Sequence, residues 1–180
     1  MTQPTGSTSA ARDDEEQLAS ATERIFSEVE RLRLALGMHP QPLIAVTDVP
    51  RSSRWYQTLL ACDSGHGGDE YERLLHRGTL VLQLHRFDVG HHHGTIGDAS
   101  SRPYGNGVAL WFEVDDFDEA VGRAAALDAE IVRGPHRNPS HGPGGPAHRE
   151  FWLRDPDGYL VVLATHDGES PWPDPRIASE

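Results

Sequence analysis

Apolar residues recur along this chain in two rhythms, and each predicts its own kind of element. Leu18, Ala21, Ile25, Val29, Leu32 and Leu36 fall every three or four residues, the spacing of one helical face. Asp13 or Asp14 is placed to cap that helix, Glu15 and Glu16 suit the positive end of its dipole, and Gly37 terminates it. From Gln41 the pattern changes. Residues 43–47 read as a strand, 48–60 as a turn entering a helix, and 78–86 as a strand with clear alternation. Residues 108–114 predict a further strand, 116–127 a helix, and 129–132 a short strand. A Pro/Gly/His loop then runs to Ala147, and 151–164 reads as strand, tight turn, strand. The predicted organisation is a disordered tail over 1–12, a helical extension over 13–37, a main domain over 41–166 and a Pro-rich tail over 167–180.

Successive residues of a strand point to opposite faces of its sheet, so parity assigns each side chain a side. Leu80, Leu82 and Leu84 form one face and predict a covering helix, leaving Val81, Gln83 and His85 opposite. Val108, Leu110, Phe112 and Val114 form a second apolar face, leaving Ala109, Trp111 and Glu113 opposite. In the first strand Ile44 and Val46 are the expected buried pair, and the other parity, carried backward, reaches Gln41. The far faces together predict a lining of Gln41, Gln83, His85, Trp111 and Glu113: apolar ground with a few convergent polar groups, the make-up of a small-molecule site.

Within the last hairpin, Asp155-Pro156-Asp157-Gly158 sets Pro where φ must be near −65° and Gly where a positive φ is expected. The chain also echoes itself. Val46-Thr47-Asp48 and Leu59 match Val114-Asp115-Asp116 and Leu127 at the same spacing, and Gly78-Thr79-Leu80-Val81 echoes Gly158-Tyr159-Leu160-Val161. A duplicated strand–helix–strands unit closed by this hairpin resembles the vicinal-oxygen-chelate superfamily of glyoxalases, bleomycin-resistance proteins and dioxygenases, over roughly 41–166. The resemblance implies an α+β fold of two βαβββ modules, whose curved mixed sheets surround a cavity with helices on their outer faces. It also implies a homodimer, because members commonly pair modules across one.

Metal-dependent members carry ligands at four strand positions, which correspond here to Gln41, Gln83, Ala109 and Val162. Two neutral amides without imidazole or carboxylate partners are a poor set for a divalent transition metal, so the usual site is expected to be depleted. A rearranged site is the alternative, with His85 and Glu113 as metal ligands or acid–base groups and a loop histidine such as His93 completing it. Gln41, Gln83, Trp111 and His93 are the expected ligand-binding residues.

Charge and composition narrow the field. Twenty-eight Asp and Glu against 16 Lys and Arg give a net charge of −12. With no basic stripe, nucleic acids and anionic membranes are excluded as partners. Cys62 is alone, no apolar leader or spanning run occurs, and a cytoplasmic location is expected. Eleven histidines is the unusual count, and Gly90-His91-His92-His93-Gly94 concentrates three of them in one loop. Cys62 has no evident catalytic partner, and no glycine-rich loop has a phosphate-binding setting. The favoured expectation is a small-molecule binding protein with no cofactor. A metal-dependent lyase or dioxygenase using one divalent transition metal is the second reading, and a non-catalytic interaction protein the third.

Overall fold

The computed structural model describes residues 20, 22, 24–25, 40–138 and 148–166. The chain divides into two units, Met1–Pro40 and Gln41–Glu180. Within the first, Ser20, Thr22, Arg24 and Ile25 are helical and exposed. They are the described part of the helix expected over 13–37; the remainder, both tails and the loop 139–147 lie outside the described residues.

The second unit runs β1 Leu43–Val46, α1 Val49–Leu60, β2 Asp63–Ser64, β3 Tyr71–His76 and β4 Thr79–Arg86. It then repeats that order as β5 Ala109–Glu113, α2 Phe117–Ala126, β6 Glu130–Asn138, β7 His148–Arg154 and β8 Leu160–Ala164. Each half closes a four-stranded mixed sheet, β1-β4-β3-β2 and β5-β8-β7-β6. The first strand of each pairs in parallel with the last, and the remaining pairs are antiparallel. This is the α+β duplication that the sequence predicts. No described helix is long and apolar enough to cross a membrane.

Local chemistry explains the elements. Asp48 caps α1, its carboxylate accepting from the Arg51 amide at 2.9 Å, with Pro50 in the first turn where no amide partner is needed. Val49, Trp55, Tyr56, Leu59 and Leu60 form the buried stripe of α1 and meet Leu74, Leu82 and Leu84 of the sheet. Leu80, Leu82 and Leu84 are all buried, so parity in β4 falls as expected. Helix α2 sets Phe117 edge-on to Phe151 of β7, with ring centres 5.5 Å apart. Arg123 of α2 donates to the Leu59 carbonyl at 3.0 Å, which ties α2 to the last turn of α1, and to Asp116 at the start of its own helix at 2.7 Å.

The last hairpin joins the halves. Gly158 takes φ +92°, as its place in the turn requires. Asp155 accepts from the Asp157 and Tyr159 amides at 2.9 and 2.8 Å and from the Tyr56 hydroxyl at 2.9 Å. Asp157 accepts from the amide and hydroxyl of Thr47, and the Tyr159 hydroxyl donates to the Ala45 carbonyl at 2.8 Å. One element of sequence expectation is corrected. The strand foreseen over 129–132 continues to Asn138, because register shifts between Ile131 and Arg133 and between Arg133 and His136 absorb Gly134 and Pro135 without ending the ladder.

Candidate functional site

The faces away from the helices carry two clusters of chemistry, one on each sheet. On the first sheet, pairing of Leu43 with Gln83 and of Ala45 and Tyr71 with His85 brings these residues to one side. They and the adjoining loops form a pocket of about 450 Å³ whose lining includes Leu43, Glu70, Tyr71, His85, His91 and His93. His85 is buried, and its Nδ1 lies 2.9 Å from the Arg86 carbonyl. The His91 and His93 rings each stand 5.2 Å from that of His85. Gln83 is held at both ends: its carbonyl accepts from the Tyr71 hydroxyl at 2.5 Å, and its amide donates to the Gln41 carbonyl at 3.1 Å.

On the second sheet, Trp111 pairs with Val162 and Val162 with Trp152, while Glu150 pairs with both Ala164 and His136. Glu150 is only 1% exposed, and its carboxylate is filled. It accepts from His148 at 2.9 Å, from His136 at 3.0 Å and from the Trp152 indole at 2.9 Å. Burial alone pushes this carboxyl up, but the bonds from His148, Trp152 and Asn138 and the nearby His136 outweigh it and hold it below its ordinary range. His136 also sets Nδ1 2.9 Å from the Gly134 carbonyl, so each of its ring nitrogens faces an oxygen acceptor. Above this hub Trp111 remains 48% exposed, edge-on to His148 at 5.6 Å and to Trp152 at 6.5 Å between ring centres.

The six residues singled out by sequence therefore fall into two groups. His85, Gln83 and His93 gather on the first sheet with Gln41 at its edge, whereas Trp111 and Glu113 belong to the second. Glu113 is exposed and lies 2.6 Å from His166. Among the described residues no three His, Cys, Asp or Glu are set to hold a metal ion as they stand.

Sequence reasoning passed over Glu150, His148 and His136, the most connected polar group of the second sheet. Arg149 and Glu150 are chain neighbours of opposite charge, yet Arg149 bonds Asp118 at 2.7 Å while Glu150 turns inward. The available signal was parity, since His148, Glu150 and Trp152 share one face of β7. Glu72 was missed as well. It is buried beneath the first sheet, accepting from Ser64 at 2.6 Å, from Ser53 at 3.2 Å and from the amides of His66, Gly67 and Arg73.

The family's usual metal positions do not fit a metal here. Ala109 and Val162 offer no donor atom, and both ends of the Gln83 side chain are taken by protein partners. Among solved structures the chain is similar to an integron cassette protein from the mobile metagenome of V. cholerae, at 21% identity and a TM-score of 0.53, over 71% of this chain and 94% of that one. It is similar to TioX from Micromonospora sp. ML1 at 20% identity and TM-score 0.52, over 72% and 98% of the two chains. A lactoylglutathione lyase from Agrobacterium tumefaciens matches at 15% identity and TM-score 0.53, over 71% and 92%. No curated protein matches. These likenesses are of fold, and the family model carries the assignment. It matches residues 39–163, well over half of the sequence, and the chain belongs to the Glyoxalase/Bleomycin resistance protein/Dioxygenase superfamily.

Proposed function

We propose that this protein is a cytoplasmic, homodimeric small-molecule binding protein that sequesters a flat, apolar ligand against the Trp111 face without a metal. The observation that carries this reading is what surrounds Trp111. Val162 is its ladder partner and Ala109 shares its face, so carbon stands where ligand atoms stand in metal-dependent relatives. Beneath it, the Glu150 carboxylate is fully engaged with His148, His136 and Trp152, which fixes a polar rim beside the ring. A half-exposed indole braced on two sides offers a rigid stacking surface that loses little entropy when a ligand arrives.

The test is a fluorescence titration of chelator-treated protein with planar aromatic antibiotics. Saturable quenching is expected, with affinity unchanged by EDTA and roughly tenfold weaker in Trp111→Leu, about 1.4 kcal/mol of stacking. Binding that disappears with the chelator, or is indifferent to Trp111→Leu, overturns the reading.

A further inference from the structure

The first sheet holds a feature that the ligand reading does not use. His85 is 2% exposed and lines the pocket beside Tyr71, yet its Nε2 is buried without a hydrogen-bond partner. Its Nδ1 faces the Arg86 carbonyl at 2.9 Å, and a carbonyl can only accept. Nδ1 is therefore the donor in this contact, and Nε2 is the ring nitrogen left over for a further partner. His93 likewise sets its Nδ1 2.7 Å from a backbone carbonyl, that of Gly94. Fixing one ring nitrogen on a backbone carbonyl so that the other is offered outward is the habitual support of a metal-binding imidazole.

Spacing points the same way. Metal–nitrogen bonds of about 2.0–2.1 Å put the centres of two imidazoles on one tetrahedral ion roughly 5.2 Å apart. The His85 ring stands 5.2 Å from both His91 and His93, and those two are 5.9 Å from each other. Glu70 adds negative charge at the rim, its carboxylate 4.0 Å from His91 Nε2. His92 neighbours His93 at 5.7 Å on the outer side of the turn.

We propose that His85, His91 and His93 form a binding site for a divalent transition ion of the zinc, cobalt or nickel kind. The site is distinct from positions 41, 83, 109 and 162, where the family carries its ligands. The donor atoms do not yet converge. His85 is the buried, fixed member, and the exposed His91 and His93 complete the set by rotating their side chains within the Gly90–Gly94 turn, His93 giving up its Gly94 contact as it does so. Three neutral nitrogens match the preference of borderline cations and leave a coordination position open. The proposal is independent of the Trp111 reading, which concerns the other sheet.

Cobalt titration of untagged, chelator-stripped full-length protein tests it. One equivalent of Co²⁺ is expected to give the intense visible d–d bands of a tetrahedral site, and Zn²⁺ should displace them. His85→Gln and His93→Gln should each weaken binding by about tenfold or more, whereas His92→Gln should leave it unchanged. If His85→Gln fails to fold by circular dichroism, His93→Gln, on the exposed turn, decides the matter. Absence of a stoichiometric site overturns the proposal. So does binding that survives both substitutions, because it would belong to the solvated histidine run alone.

Discussion

Glu150 and Glu72 are charges kept in places that water hardly reaches, and the reason they persist is the number of donors aimed at each. Burial raises the carboxyl of Glu72, but bonds from Ser64 and from the Gly67, His66 and Arg73 amides reverse it, so both glutamates titrate below their ordinary value of 4.5. Each contributes stability that is complete above that value and is lost as pH falls through the depressed one. Asp155 works in the opposite direction: burial raises it, so its contribution is greatest below its ordinary 3.8 and fades as pH rises through the raised value. We expect Glu150→Gln to cost roughly 2–4 kcal/mol at neutral pH, since an amide nitrogen would face donors. Urea melts at pH 7 and pH 4 should show a shallower acid loss in the variant than in the wild type; equal slopes would remove Glu150 from this role. None of this is legible from residue type. Glu72 and Glu150 look like solvated charges, and only the fold brings Ser53 or His136 to them.

Elements were more legible than their charges. Alternation in 80–85, the Asp48-Val49-Pro50 start of α1 and the Asp-Pro-Asp-Gly turn each rest on covalent geometry that tertiary contacts did not override. β6 was cut short because Gly134-Pro135 normally ends a strand, and only the paired strand β7 shows that the ladder resumes at His136. β3 was not foreseen, since Tyr71-Glu72-Arg73 shows no apolar alternation and is buried through Glu72. The hairpin supports two graded tests by denaturant midpoint. Asp157→Ala removes both Thr47 bonds and should cost about 2–3 kcal/mol with an unchanged m-value. Gly158→Ala meets no atom within 4 Å, so its loss of about 1 kcal/mol or more would be conformational alone. A neutral Gly158→Ala would refute that account.

For the molecule as a whole, duplication divides the candidate lining between two sheets, which parity alone could not reveal. Sequence assigns Trp111 and His85 to the same class of face, but not to the same sheet. Apart from the proposed ligand platform at Trp111, the exposed apolar side chains Val108, Ile131 and Val132, each about half accessible, lie on or beside the second sheet. They favour a homodimer, in keeping with the proposed function. Light scattering on the intact protein should return twice 19.8 kDa, and a monomer at micromolar concentration would sink that part of the proposal.

The clasp between hairpin and first strand has a consequence for biosynthesis. Thr47 meets Asp157 across 110 residues, Tyr56 meets Asp155 across 99, and Tyr159 meets Ala45 across 114. Contacts of that reach are made late, because the intervening loop must first be closed at an entropic cost. While the ribosome is still producing β6, the Tyr56 hydroxyl and the Ala45 carbonyl lack the partners that Asp155 and Tyr159 later supply, and the first half is without its tie to the hairpin. A chain truncated before Asp155 would remain in that state, a natural substrate for chaperones and proteases, however complete its first sheet.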